Sequence, residues 1–320
     1  LLKSVYPRLS PSQLKEILIA AGDQINNFNP SVPSKLGRRL NVAAALTIAG
    51  GSKFPVKSPV VLVPQSGLPS NVLTYDVSGE LLQKFLAYQP KFISGSNITT
   101  GDVDGDGQVD IIIAPRAGGG PNIRMFNQKG ELEFQFMAFA DTFRGGVSVA
   151  AADFTGDGKD DIVVGTGRGG SNLVRVYDSQ GILRYQFIPY EPSYIGGINL
   201  VAGDVDSDGQ PDIVVAPAGG ARLPVRVFDK FGVKRSEFYP FPVAIRGGIN
   251  VAVGDVDGDN KADIIVAAGA GGGPQVRVFN WRGKVLQQFL AYAKNFRGGV
   301  NVAVGDVDGD GNNEIVTSPG

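Results

Sequence analysis

Short apolar runs alternate with polar, glycine-rich loops along residues 60–320. In one stretch of this pattern the apolar runs cover residues 250–254, 263–268, 275–279 and 285–292. Runs of this length that are rich in Val, Ile and Phe and are bounded by turn residues are typical of β-strands. The pattern therefore predicts four short strands in each unit of the chain.

The units repeat with a constant period. A nine-residue acidic segment starts at Asp102, Asp153, Asp204, Asp255 and Asp306, and each start lies 51 residues after the one before. A fixed period of about 50 residues indicates a repeat architecture, and four antiparallel strands per unit fit a propeller blade. We predict a mainly β fold, a β-propeller of four-stranded blades with five blades largely present and a sixth begun.

The two ends of the repeat region leave two interpretations of the ring. Residues 60–63 match the second strand of later units, so the first unit lacks an acidic loop and the strand before it. Residues 301–319 supply a first strand, a loop and a second strand. The final first strand can complete a five-bladed ring, but residues 314–317 then duplicate residues 60–63. We therefore favour a propeller of six or more blades.

The acidic segment contains the candidate chemistry. Carboxylates at positions 1, 3, 5 and 9 of one short loop repel each other unless a cation neutralises them, and Ca²⁺ takes six to eight oxygen ligands. Position 7 is Lys159 or Lys261 in two copies, so we expect the backbone carbonyl to be the ligand there. Position 6 is Gly or Asn260, the residue types that adopt a positive φ most readily. Because it recurs, the pattern argues against a solvated acidic face.

We predict up to five Ca²⁺ sites, with the second weakened because Thr155 replaces an acid. The side-chain ligands are Asp102, Asp104, Asp106, Asp110, Asp153, Thr155, Asp157, Asp161, Asp204, Asp206, Asp208, Asp212, Asp255, Asp257, Asp259, Asp263, Asp306, Asp308, Asp310 and Glu314. The backbone carbonyl ligands are those of Gln108, Lys159, Gln210, Lys261 and Asn312.

Aromatic and arginine residues recur with the same period. The aromatic positions are Tyr75, Phe126, Tyr177, Phe228 and Phe279, and Phe85, Phe136, Phe187, Phe238 and Phe289. We expect them to fill the space between blades, with carbohydrate stacking as the alternative. The arginines are Arg124, Arg175, Arg226 and Arg277 on the third strand, and Arg144, Arg246 and Arg297 before a glycine pair. We expect them to pair between blades, with a ring facing a ligand as the alternative.

Composition excludes several classes of function. The chain has 320 residues, of which 42% are apolar, and its formal charge of −1 does not favour nucleic acid. It has no Cys and no His, so neither a thiolate metal site nor a Ser-His-Asp triad can form within it. No apolar run reaches the ~18 residues that a membrane span needs. We therefore predict no catalytic residues, no nucleic-acid partner and no membrane span.

Residues 1–50 have a different pattern. Ser10, Pro11 and Gln13 are typical of a helix start, and a second short helix is predicted after Asn41 as its N-cap. Residues 1–7, 9–18 and 37–46 resemble the C-terminal end of a subtilisin-like serine protease domain of the S8 family. The resemblance implies that the catalytic residues lie before Leu1. Because the chain starts at Leu1 without Met and stops at Gly320 just after an apolar run has restarted, we expect it to be a fragment open at both ends. A helical appendage unrelated to proteases is the alternative.

We thus divide the chain into a helical remnant of an α/β subtilisin-like domain at 1–50, a linker at 51–59 and a propeller at 60–320. The acidic loops, for example residues 102–110, resemble those of the FG-GAP or VCBS repeats of integrin-like propellers. That resemblance implies a β-propeller whose calcium ions fix the turn between the first and second strands of each blade.

The functional expectation is a calcium-stabilised binding or attachment module on a secreted, bacterial serine endopeptidase, in an extracellular or cell-surface location. The expected partner is a protein or carbohydrate that binds to the propeller surface. An adhesion or lectin-like calcium-binding protein without protease activity is the alternative. An enzyme with its site on the propeller is disfavoured, because most of its carboxylates belong to the calcium loops.

Overall fold

The fold is a β-propeller. A computed structural model describes residues 40–41, 60–64, 67–75, 80–242, 245–306 and 312–320. These residues form 22 strands in six antiparallel sheets, five of four strands and one of two strands, and no helix occurs among them. The predicted mainly β fold with five four-stranded blades is confirmed, whereas the preference for a ring of six or more blades stays a prediction.

The strands follow the chain in order within every blade. The first blade contains β1 (Leu40–Asn41), β2 (Val60–Pro64), β3 (Asn71–Tyr75) and β4 (Leu81–Leu86). The second contains β5 (Ser96–Gly101), β6 (Asp110–Pro115), β7 (Asn122–Phe126) and β8 (Leu132–Met137). The third contains β9 (Val147–Ala152), β10 (Asp161–Thr166), β11 (Val174–Tyr177) and β12 (Leu183–Phe187).

The later blades repeat this order. The fourth contains β13 (Ile198–Gly203), β14 (Asp212–Pro217), β15 (Val225–Phe228) and β16 (Lys234–Phe238). The fifth contains β17 (Gly247–Gly254), β18 (Asp263–Ala270), β19 (Gln275–Phe279) and β20 (Val285–Leu290). The two-stranded sheet contains β21 (Val300–Gly305) and β22 (Glu314–Pro319), and β22 approaches β1.

The position of a strand within its blade sets its burial. The second strands β6, β10 and β14 are buried at every residue, because sheet neighbours flank them and adjacent blades cover both faces. The outer strands β4 and β8 alternate between exposed and half-buried residues. The first strands of successive blades, from β5 to β21, lie beside each other and surround a central channel. Continuous apolar runs therefore mark the second strands, as expected for a strand buried on both faces.

The recurring aromatic residues pack between blades, as expected. A fourth-strand ring stacks on a third-strand ring of the next blade with centroids 4.6–4.9 Å apart. The pairs are Phe85 with Phe126, Phe136 with Tyr177, Phe187 with Phe228, and Phe238 with Phe279. These tilted pairs contribute about 0.5–1.5 kcal/mol each beyond their burial.

The third-strand arginines also join neighbouring blades. Each guanidinium donates from Nη1 to a backbone carbonyl of the preceding blade: Arg124 to Ala87, Arg175 to Ala138, Arg226 to Pro189, and Arg277 to Pro240. For Arg226 this N···O distance is 2.7 Å, and its Nε also donates to Glu237. Pairing with carbonyls is therefore the role of this arginine series, and a ring of them facing a ligand is not formed.

The start of the propeller differs from the prediction. Leu40 and Asn41 form β1, which pairs with Pro64 and Val63 of β2, so the first blade does have an inner strand. The expectation that the first unit lacks the strand before residue 60 is therefore wrong. Asn41 belongs to this strand, and its predicted role as the N-cap of a following helix stays a prediction. The helix predicted from Ser10, the body of the second helix and the linker at 51–59 lie outside the described residues.

Candidate metal sites in the acidic loops

Each acidic loop connects the first strand of a blade to the second. Its position 9 is the first residue of the second strand, as Asp110 of β6 and Asp263 of β18 show. The Asp110 Oδ2 accepts from the backbone N–H of Val103 at 2.9 Å and of Asp104 at 3.3 Å. Asp161 and Asp212 accept in the same way within their own loops. This carboxylate therefore closes the loop by binding its own start.

The carboxylate at position 1 organises the middle of the loop. In the first loop, Asp102 Oδ1 accepts from Gly105 N–H at 2.8 Å and Oδ2 accepts from Gly107 N–H at 3.0 Å. The same two bonds form around Asp153 and Asp255. The carboxylates at positions 3 and 5 each accept from the N–H two residues later in the first and fourth loops. The loop backbone thus wraps around its acidic side chains.

Two backbone positions in each described loop have a positive φ. At position 6 the values are 83° for Gly107 and 62° for Asn260, in agreement with the residue types found there. Position 4 also has a positive φ, and there the third loop has Ser207 at 64°. Sequence reasoning missed position 4, although glycine at residues 105, 156 and 258 is the signal for it.

Three loops bring three carboxylates together. In each group one oxygen from every residue lies within 4.8 Å of the others. The groups are Asp102, Asp104 and Asp110 in the first loop, Asp204, Asp206 and Asp212 in the third, and Asp255, Asp257 and Asp259 in the fourth. Ca²⁺ binds oxygen at about 2.3–2.6 Å, so two ligands on opposite sides of one ion are about 5 Å apart. Each of the three groups therefore has the size to hold one calcium ion.

Not every predicted ligand belongs to these groups. Asp106 and Asp208 at position 5 lie outside the groups of the first and third loops, and Asp263 at position 9 lies outside that of the fourth. The second loop, where Thr155 replaces an acid, forms no such group among the described residues. In the fifth loop Asp308 and Asp310 lie outside the described residues, whereas Glu314 begins β22. The carbonyl ligands proposed at position 7 stay predictions.

The carboxylates at position 9 have raised pKa values. Burial and the nearby charge of Asp104 together raise the pKa of Asp110 to about 7. The backbone hydrogen bonds to Asp110 act in the opposite direction. Burial, together with Asp206, raises the pKa of Asp212 to about 7. Burial likewise raises the pKa of Asp161 and Asp263 to about 6. A carboxylate with a raised pKa is one whose charged form the fold disfavours, and a bound cation removes that penalty.

Neighbouring loops also contact each other. Asp160 Oδ2 accepts from Asp102 N–H at 3.0 Å, and Asp160 N–H donates to the Asp102 carbonyl at 2.8 Å. Asn313 at the same loop position donates to the Asp255 carbonyl at 3.0 Å. The residue at position 1 is therefore held from the next blade as well as from its own loop.

Comparisons with known proteins agree with the repeat. Residues 102–164 and 255–317 match the FG-GAP-like repeat family, so the chain contains FG-GAP-like repeats within its five-bladed propeller. Over 216 residues it is 27% identical to cartilage acidic protein 1 of Xenopus tropicalis, a match that covers 62% of this chain and 33% of that protein. The chain thus spans about a third of the length of this curated relative.

Solved structures with a similar arrangement were also found. The Dos1 propeller is 15% identical with a TM-score of 0.47, and the match covers 82% of this chain and 65% of that one. The biofilm matrix protein Bap1 of V. cholerae is 17% identical with a TM-score of 0.45, with coverage of 79% and 40%. None of the residues described here forms a helix that is long and apolar enough to cross a bilayer.

Proposed function

We propose that this chain is a non-catalytic binding module, a β-propeller whose first-to-second-strand loops are held by calcium. The observation that carries the proposal is the grouping of three carboxylates within 4.8 Å of one another in three separate loops. FG-GAP-like repeats in a propeller fit an adhesion or binding module. The calcium is structural, because its ligands are loop residues at the ends of strands.

Side-chain and backbone groups of each loop have different roles in this proposal. The carboxylates at positions 1, 3 and 9 of the first and third loops bind the ion, and the backbone hydrogen bonds to position 1 keep its oxygens in place. A bound ion would neutralise the mutual repulsion of these acids and fix the connection between two strands. Extracellular modules bind calcium with Kd values of about 10⁻⁴–10⁻³ M, which we expect here for a protein outside the cytoplasm.

Replacing Thr155 with Asp tests the proposal at the level of a single loop. Position 3 supplies a carboxylate to each complete group, so Thr155→Asp is expected to add one calcium ion per chain to the number bound by wild type. Isothermal titration calorimetry measures this stoichiometry. Thr142→Asp, an acid added outside the loops, is the matched control and should leave the number unchanged. The proposal fails if wild type binds no calcium at millimolar concentration.

The wider setting of the module is a second part of the proposal. The resemblance of residues 1–46 to a subtilisin-like domain supports attachment to a secreted serine endopeptidase, with the propeller holding a protein or carbohydrate partner. The alternative is an adhesion or lectin-like protein without protease activity. Fluorophosphonate labelling of the full-length protein distinguishes them: labelling at a serine before Leu1 is expected for the protease, and an unlabelled protein contradicts it.

A further inference from the structure

The central channel widens into a mouth on the face of the propeller opposite the acidic loops. Each first strand begins on this face, next to the glycine-rich turns, and ends at its acidic loop. The mouth is a cavity of about 850 Å³ whose wall includes the turns around Gly146, Gly167, Gly196 and Gly219. It is large enough for a small organic ligand, since such pockets measure ≈ 300–1,000 Å³.

The charged residues of this wall are all positive. Arg116, Arg168 and Arg246 line the mouth, and no Asp or Glu is among the lining residues that the structure describes. None of the three guanidinium groups makes a hydrogen bond or ion pair within the described part of the chain. In contrast, Arg144 and Arg297, on the same face, donate to carbonyls of their own loops. The mouth therefore contains three cationic side chains that are without partners.

Arg116 has the most unusual surroundings of the three. It lines the narrow channel as well as the mouth, whereas Arg168 and Arg246 are exposed at the rim. Burial lowers the pKa of the Arg116 guanidinium, and no neighbouring acid opposes that effect. A partly desolvated cation without a countercharge is costly for the fold. An anion entering the mouth would remove this cost by binding the guanidinium.

The face as a whole, with the three arginines of the mouth included, has the same sign of charge. Its loops join second to third strands and fourth strands to the next blade, and they carry eight Lys or Arg residues against two acids, Asp141 and Glu191. An excess of one charge around a concave site attracts ligands of the opposite charge. The glycine-rich turns of neighbouring blades pack closely against each other, since a Cβ at Gly146 would clash with the backbone nitrogen of Ala117.

We propose that the channel mouth is an oxyanion-binding site, in which Arg116 is the deep anchor and Arg168 and Arg246 bind at the rim. The planar guanidinium pairs with a carboxylate or a phosphate through two parallel hydrogen bonds. Three separate cations suit a ligand with two or more anionic oxygens. The inference deepens the proposed function, because it names the ligand class of the binding module, but it does not depend on calcium.

Calorimetric titration of the calcium-saturated chain tests the site with three probes. Glutarate presents two carboxylates, glycerol 3-phosphate presents a phosphate ester, and glutaramide is the neutral counterpart of glutarate. We expect at least one anion to bind tenfold or more tightly than glutaramide, and the tighter anion identifies the natural source of the oxyanion. The site is refuted if neither anion binds more tightly than glutaramide.

Substitutions of basic residues inside and outside the mouth test whether the anion binds there. Arg116→Gln removes the charge without leaving a partner unpaired, and we expect it to weaken anion binding by tenfold or more. Lys294→Gln removes an equal charge from the same face outside the mouth and should change affinity by less than twofold. If Arg116→Gln does not fold, the exposed Arg168→Gln replaces it, with a smaller loss expected. Equal affinity of wild type and both mouth variants contradicts the inference, whereas the calcium stoichiometry reports independently on the proposed function.

Discussion

Removing calcium with excess chelator is expected to lower the thermal unfolding temperature of this chain by roughly 6 °C. A site with calcium at about ten times its Kd stabilises the folded state by about 1.4 kcal/mol, so the three complete groups found among the described loop residues contribute about 4 kcal/mol. With an unfolding entropy of about 2.1 cal/mol/K per residue, each kcal/mol changes the midpoint of a chain of this size by about 1.5 °C. Differential scanning calorimetry in millimolar calcium and in chelator measures the difference.

Two comparisons connect this shift to the loops. Magnesium at the same concentration should produce a smaller shift, because it dehydrates reluctantly and requires octahedral geometry. Asp255→Asn removes a carboxylate from the fourth loop and should reduce the calcium-dependent shift by about a third, since one of three complete groups is lost. Equal midpoints in calcium and in chelator would exclude structural calcium in these loops.

Truncating Phe279 to alanine is expected to reduce the free energy of unfolding by about 3–5 kcal/mol, the usual cost of removing a fully buried ring. Phe279 is 2% exposed, and its ring centroid lies 4.6 Å from that of Phe238 in the preceding blade. The substitution therefore opens a cavity at the boundary between two blades, where the flanking sheets cannot collapse independently. Urea denaturation in saturating calcium measures the loss.

A matched phenylalanine provides the control for this prediction. Phe231 is 66% exposed and touches Tyr185 with a ring-centroid distance of 5.4 Å. Phe231→Ala should therefore cost less than about 1 kcal/mol. A similar loss for the two variants would show that packing between blades does not set the stability of the propeller.

The sequence alone predicted the features that repeat. The 51-residue period located the strands, the acidic loops and the interblade aromatics, because the same physical requirement recurs in every blade. The two-residue strand β1 could not be predicted, since Leu40 and Asn41 pair with residues more than twenty positions away and leave no local pattern. Three acids of a loop come close together, and the backbone geometry decides which three they are. The spacing of the acids in the sequence does not determine that geometry.

The most regular arginine series of the repeat does not line the channel mouth. Arg124 and its equivalents recur in every later blade, and they are occupied in binding carbonyls. Arg116 and Arg168 occupy positions that do not match under the repeat, so they carry no periodic signal. Their proximity in the channel mouth appears only when the blades are arranged around an axis. Arg246, in contrast, belongs to the recurrent series before a glycine pair, so the period reveals one of the three arginines of the mouth and not the other two.

The two faces of the propeller carry opposite charge. The acidic loops lie at one end of the channel, and the loops with eight basic residues lie at the other. This arrangement gives the molecule an electric dipole parallel to the channel axis. Near a polyanionic surface the field would exert a torque that turns the arginine face forward, an effect that acts within a Debye length of about 10 Å at 0.1 M salt. The propeller would therefore be oriented with its arginine face toward such a surface before the two make contact.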